Sequence, residues 1–380
     1  MNGRARLRLR LNGNPYRRKE RTRMTTFPKT KAKTVLSLIW LLASLLLVLS
    51  GCGSVKEGSQ AAVQAAGTGS GGVQNRQEQA PVTLNIADIS TNPVLRTAVS
   101  KGFFEKNGIE VKLVTFATPA EGINSLFIKQ ADIAWGADFP ILNAVSKGEF
   151  AIIASTGTST EQNAKQWKLF VRDEIGKPED LQGKKLSFLR GTFLSYLWDE
   201  YLAEHGLALD DVKLIGQGGS DEAYIALKKG EVDAVWVSGA ALTAKFEAAE
   251  GVRQLTDMSQ TKVRIGSQIV APEALIREQP EAVANFLRAL DEASRFVKEN
   301  PEEVADILYK EVKQPRESTL KDLEVLNWNV DFTEAAYDSL TRQKKYMVEN
   351  GIIEKDFELK DKIKLDFLRE VLPDRVSITP

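Results

Sequence analysis

In 380 residues the chain has one cysteine and one histidine. A single cysteine cannot close an internal disulfide, so the fold must hold by packing alone. A single histidine excludes a histidine-based metal cluster. His205 stands before Gly206 at an expected helix end, where a partly positive imidazole suits the helix dipole and no Ser-His dyad is available. Phosphate fingerprints are missing too. Gly216-Gln217-Gly218-Gly219 has neither the Gly-x-Gly-x-x-Gly spacing nor a P-loop lysine, and reads as a turn before a helix capped by Ser220. The acidic pairs Asp173-Glu174, Glu179-Asp180 and Asp210-Asp211 read as solvated turns, so no metal and no cofactor is expected. Residues Gly53 to Ala80 lack aromatics and are rich in Gly, Ala, Ser and Gln; they cannot bury enough apolar surface to order themselves. They read as a tether with a mean reach of about 30 Å. The apolar run from Val35 to Leu49 is too short to span a bilayer of ~30 Å comfortably as a helix.

What is present at the N-terminus is a secretory signal: basic Lys29, Lys31 and Lys33, the short apolar run, then small residues. The signal hides the charge of the rest. Residues 1–51 hold twelve Lys or Arg and one acidic residue, so of 51 basic and 51 acidic residues 39 and 50 remain beyond them, about −11. That excludes nucleic acid as a partner. The Arg-rich stretch from Arg4 to Arg23 reads as a long n-region, or Met24 is the true start. Leu49-Ser50-Gly51-Cys52 resembles the bacterial lipobox, which implies cleavage before Cys52 and a diacylglycerol on its thiol.

From Val82 the pattern is strand, helix, strand, helix, strand, which predicts parallel sheets with helices on their faces. Val82, Leu84 and Ile86 alternate as in a strand; Asn92-Pro93 opens a helix; Thr118-Pro119-Ala120-Glu121 is a capping box. An offset of 101 maps Thr91 onto Thr192, Val111-Lys112-Leu113-Val114 onto Val212-Lys213-Leu214-Ile215, Glu121 onto Glu222, Leu126 onto Leu227, Asp132 onto Asp233 and Trp135 onto Trp236. One constant offset across four elements predicts two lobes of like topology. Strand-like runs at Phe150–Ser155 and Trp167–Val171, and again at Val263–Val270, are expected to carry the chain across and back, making a two-crossing hinge. The expected organisation is signal 1–51, lipidated cysteine and tether 52–80, lobe 1 at 82–171 plus 266–380, and lobe 2 at 172–265. The chain after Pro272 reads as helices that pack lobe 1 and line part of the cleft rim.

In open parallel sheets ligands bind beyond the carboxyl ends of strands, where helices begin. Four such places are legible: Ser90-Thr91-Asn92, Gly136-Ala137-Asp138, Arg190-Gly191-Thr192 and Val237-Ser238-Gly239. Free N–H groups and positive helix ends there favour anionic oxygens. Asn92 caps its own helix, and capping residues also contact ligands. Arg190 either holds an anion bidentately or is a surface arginine. Asp138 is a helix cap, a partner for a ligand amine or hydroxyl, or a partner for Arg190 across the cleft. Of the two strand-end tryptophans, Trp236 is favoured for the cleft over Trp135, while Trp198 and Tyr201 read as packing.

The segments Val99-Ser100-Lys101-Gly102-Phe103-Phe104-Glu105-Lys106-Asn107-Gly108-Ile109-Glu110-Val111, Ala131-Asp132-Ile133-Ala134-Trp135-Gly136, Asp180-Leu181-Gln182-Gly183-Lys184-Lys185-Leu186 and Gly230-Glu231-Val232-Asp233-Ala234 resemble the nitrate/sulfonate/taurine binding family. That family includes SsuA-like and thiamine-pyrimidine-precursor binders. The resemblance covers roughly Val82 to Val312. It departs at Val237-Ser238-Gly239, where many members have an acidic residue and proline. It implies a lipid-anchored solute-binding protein of an ABC importer with a two-lobed periplasmic-binding-protein-like α/β fold. It further implies ligand contacts at Ser90, Thr91, Asn92, Gly136, Asp138, Gly191 and Thr192, beside the Arg190, Trp236 and Ser238 read from position. The expected partners are a small, anionic solute of the sulfonate, nitrate or taurine class, a permease with its ATPase, and the outer face of the cytoplasmic membrane through Cys52. A monomer is expected. A pyrimidine synthase of the same fold would need a cofactor-linked lysine and histidines, which one badly placed histidine does not supply. A lipid-anchored sensor using the same clamp is the other alternative. Replacing the thiol separates anchor from clamp: Cys52→Ser should move the protein from the membrane to the soluble fraction with solute affinity intact, and lost affinity in the soluble form would refute that separation.

Overall fold

The structure, a computed structural model, describes residues 82–378 apart from Thr91, Thr158 and Ser159. The expectations on the signal, Cys52, the tether and Thr91 therefore concern residues outside the described ones.

The first half of the chain builds β1 (Val82–Ile89), α1 (Pro93–Ser100), α2 (Phe103–Lys106), β2 (Ile109–Phe116), α3 (Pro119–Ser125), β3 (Ile133–Ala137), α4 (Asp138–Lys147) and β4 (Phe150–Thr156). The starts are local chemistry. Asn92 Oδ1 accepts from the Val94 and Leu95 amides at 3.0 and 3.2 Å, with Pro93 at the first helical position. At α3 Thr118 and Glu121 cap each other reciprocally. After a short α5 (Glu161–Ala164) come β5 (Lys168–Arg172), β6 (Lys185–Leu189), α6 (Leu194–Glu204), β7 (Lys213–Gln217), α7 (Ser220–Lys228), β8 (Ala234–Val237), α8 (Ala240–Glu247) and β9 (Val252–Asp257).

Two sheets result, ordered β11-β4-β10-β3-β1-β2 and β7-β6-β8-β5-β9, where β10 is Ser267–Pro272 and β11 is Val330–Asp331. The order β2-β1-β3 reappears as β7-β6-β8, so the 101-residue repeat is a repeat of topology. It slips by one at the first strand. Ile86 faces Leu113 in one sheet and Leu186 faces Leu214 in the other, an offset of 100 on one side and 101 on the other. Within each sheet an internal strand is reversed: β10 runs against β3 and β4, and β5 runs against β8 and β9, while the short edge strand β11 also runs against β4. β10 and β5 are the two strands that follow a crossing. The strands they pair with end at the cleft, so a chain arriving from the opposite lobe enters at that end and must run back.

The pairing of β5 corrects the expected boundary at 171/172. Lys168–Arg172 lies in the second sheet, so the first crossing precedes residue 168. The return runs between Asp257 and Ser267. Beyond it, α9 (Glu273–Glu278), α10 (Pro280–Glu299), α11 (Pro301–Val312), α12 (Arg316–Val325), α13 (Glu334–Glu349) and α14 (Asp366–Val371) complete lobe 1. α10 buries Val283, Phe286, Leu287 and Leu290 at helical spacing, and Phe286 stacks on Phe104 of α2 at 5.7 Å. Each such side chain contributes about 1.5–3 kcal/mol when fully buried.

Gly157, just after β4, shows how tightly the first crossing is held. Its φ is +86°, and a Cβ placed there would lie 2.5 Å from the Asn327 carbonyl oxygen. Gly157→Ala should therefore lower unfolding free energy by about 1–3 kcal/mol, the usual size of backbone strain at one position. Urea denaturation checks this, and an unchanged midpoint would show that the 327–329 segment gives way freely.

Candidate functional site

A cavity of about 580 Å³ opens where strand ends of both sheets meet the crossings. Lobe 1 contributes Ile89, Ser90 and Ala137; lobe 2 contributes Leu189, Thr192 and Ser238. Thr156 and Gly157, Asn163 and Trp167 come from the first crossing, and Met258, Ile265 and Ser267 from the return. A third wall is formed by α11, α12 and the chain leading to β11, with Leu308, Asp322 and Trp328.

Aromatic rings frame the space. Trp135 and Trp328 lie 5.8 Å apart, tilted, and Trp135 Nε1 donates to Thr156 Oγ1 at 2.7 Å. Trp167 meets Phe193 edge to face at 4.9 Å. Among the described residues lining the cavity, Asp322 is the one charged side chain. The other polar lining groups are hydroxyls, backbone and the side-chain amides of Asn163, Gln166, Gln314 and Asn327. The starts of α4 and α7 carry no side-chain cap, whereas Thr192 Oγ1 accepts from the Leu194 amide at the start of α6. The lobes also approach at Gly191, where a Cβ would come within 3.8 Å of the Ala120 Cβ.

The expected residues divide sharply. Ser90, Thr192 and Ser238 line the cavity. Asn92 is spent on capping α1. Gly136 faces away from the cavity: a Cβ there would meet Ile123 at 3.1 Å, on the opposite face from Trp135 and Ala137. Gly191 is exposed at the rim. Arg190 is exposed and outside the lining, and its side chain lies along Gly216. Trp236 is buried among Trp198 and Tyr201, with ring centroids at 5.8 and 5.5 Å. The cause lies in α6: the offset of 101 puts Trp198 and Tyr201 where α1 has Thr97 and Ser100, and those large rings close over the strand. Trp135, rather than Trp236, is the strand-end tryptophan of the cavity.

Asp138 corrects the reading most. It neither caps α4 nor meets Arg190. It is fully buried, and its carboxylate accepts from the Gly266 amide at 2.9 Å, Gln268 Nε2 at 2.9 Å, Gln343 Nε2 at 2.8 Å and the Ser339 hydroxyl. Burial raises its pKa and the hydrogen bonds oppose the rise. The residue ties the return crossing to α4 and α13.

Ser220 was legible but missed. The repeat pairs Pro119 with Ser220, Ala137 with Ser238 and Pro140 with Ala241, and all six line the cavity. The third wall has no counterpart in the repeat, so Trp328 and Asp322 had no such signal.

Two α/β lobes with a cavity at their strand ends define the periplasmic-binding-protein class of fold. The periplasmic aliphatic sulphonate binding protein SsuA from Escherichia coli superposes with a TM-score of 0.65 at 19% identity, over 74% of this chain and 97% of that one. The desulfurization enzyme DSZB shares the fold at a TM-score of 0.58 and 18% identity, over 77% and 99%. The chain belongs to the NMT1/THI5-like family, whose model matches residues 93–304. A Bacillus subtilis (strain 168) protein provisionally named an aliphatic sulfonates-binding protein is 24% identical over 325 residues, 82% of this chain and 94% of its own. Among the described residues no helix is long and apolar enough to cross a membrane.

The division of residues is testable in one experiment. Arg190→Ala should leave solute affinity within about twofold, while Trp135→Ala should weaken it by about 2 kcal/mol, as loss of a buried aromatic anchor does. Titration by tryptophan fluorescence reads both, and a large loss in the arginine variant would return Arg190 to the site.

Proposed function

We propose that this protein is the extracytoplasmic substrate-binding component of an ABC importer, capturing an organic sulfonate between its lobes and delivering it to a permease. The carrying observation is the inter-lobe cavity of about 580 Å³, walled by aromatic rings and offering hydroxyls, amides and helix starts but, among the described residues, no cationic side chain. A sulfonate spreads one negative charge over three oxygens, which suits several neutral hydrogen-bond donors, and its organic tail suits the apolar walls. Nitrate, within the same expected class, would leave most of this space unfilled. Ser90, Thr192 and Ser238, joined by Ser220, are the proposed polar contacts, with Thr91 beside them in sequence.

The proposed role is binding without chemistry. Among the described residues the lining offers hydroxyls, side-chain amides and one carboxylate, and no thiol, imidazole or amine to act as a nucleophile or carry a cofactor. Lobe closure about the two crossings buries the solute and presents both lobes to the permease. The protein is proposed to act as a monomer held on the outer face of the cytoplasmic membrane through Cys52, with the 53–80 segment as tether. A second reading, a thiamine-pyrimidine precursor as solute, is favoured by the paired Trp135 and Trp328 and by the single carboxylate, since an aminopyrimidine both stacks and donates.

A thermal-shift panel separates these. Alkanesulfonates of increasing length and arylsulfonates should raise Tm, with about 2.7 kcal/mol of stabilisation at a hundredfold excess over Kd. Nitrate should not. A shift with aminopyrimidines alone would replace the sulfonate reading with the second, and no shift with any of these solutes would refute both.

A further inference from the structure

The one charge in the cavity wall is also a bond between the lobes. Asp322 lies on α12, which packs on α11 and through it on α1 of lobe 1. Its Oδ1 accepts from the amide of Ala240, the first residue of α8 in lobe 2, at 2.7 Å. Local chemistry leaves that amide open. Gly239 precedes it at φ +90°, and α8 has no side-chain cap of its own, unlike α1 and α3. A carboxylate on a helix start is stabilised by the N–H group and the helix dipole together. The cap that α1 and α3 take from their own sequence, α8 takes from the opposite lobe.

We propose that Asp322 is the specificity-determining residue of this cavity: its carboxylate fills the anion seat on α8, keeps the solute's own anionic group away from that end, and leaves the end open to an amine. This rests on the sulfonate reading and narrows it to amine-bearing sulfonates. The surroundings support it. Leu323, next to Asp322 on α12, and Leu242, two residues beyond Ala240 on α8, line the cavity too, so the charge has apolar neighbours and water screens it less than at an open surface. Burial raises the carboxyl's pKa and the Ala240 amide opposes the rise. Gln314 Nε2 reaches the second oxygen only at 3.5 Å, which leaves that oxygen with acceptor capacity. No lysine, arginine or histidine lines the cavity among the described residues, so an ammonium on the solute would supply the missing counter-charge.

Two isosteric sulfonates test this on the full chain. 2-Aminoethanesulfonate and 1-propanesulfonate differ in an ammonium against a methyl group. Wild type should bind the first about tenfold tighter or better, as a charge-assisted hydrogen bond allows. Asp322→Asn should bring the two within about twofold. Equal affinities in wild type, or a preference kept by Asp322→Asn, would overturn the proposal. A second readout needs no solute. Hydrogen exchange of the Ala240 amide should speed at least about tenfold in Asp322→Ala, with α6 unchanged as the control for folding. Unchanged exchange would overturn the proposal whatever the sulfonates do. Faster exchange with neither sulfonate bound would keep the bridge, and would overturn the sulfonate reading and with it the amine selection.

Discussion

The carboxylate of Asp138 is the point on which the two-lobed arrangement turns. Four donors converge on it, one from the return crossing, one from β10 and two from α13, and Gln268 passes the network on by accepting from Ser155 Oγ at 2.7 Å on β4. A buried carboxylate is tolerated only where its oxygens are hydrogen-bonded, and here they are nearly saturated. The return segment, which lies between the two sheets and buries Met258 and Val263 in the shared core, is thereby also fixed to lobe 1 by directional polar bonds. β10 then enters its sheet reversed, and the cavity acquires a floor made of both crossings.

The cavity itself combines strong shape with weak charge. Rings from lobe 1, lobe 2, the first crossing and the C-terminal wall surround a space whose polar atoms are mostly hydroxyls and backbone groups. Such a site holds a singly charged solute through many neutral donors, each worth about 0.5–1.5 kcal/mol net. Its discrimination then comes from fit along the tail and from what the one carboxylate attracts or repels.

Much of this was legible in the letters because it is local or repetitive. The Asn92 and Thr118 caps need only a residue type and its spacing, and the structure shows both bonds. The 101-residue offset announced two lobes, and carried through it would have named Ser220 from Pro119. Where the reading went astray, a side chain's surroundings decided. Trp135 and Trp236 are equivalent in sequence, yet Trp198 and Tyr201 enclose one and Trp328 leaves the other at the cavity. Arg190 follows a strand directly, as a ligand-binding arginine would, but lies along Gly216 outside the lining.

By itself the sequence determined the alternation of strands and helices, the helix starts and the existence of two like halves, since each depends on neighbours a few residues apart or on a constant offset. Only the tertiary structure decided that Asp138 belongs to the hinge, which residues of the C-terminal segment wall the cavity, and that Asp322 reaches α8. Those bonds join residues 128, 201 and 82 positions apart. No local pattern encodes such a meeting; it follows from the way two packed sheets, joined by two crossings, set their helix ends against each other.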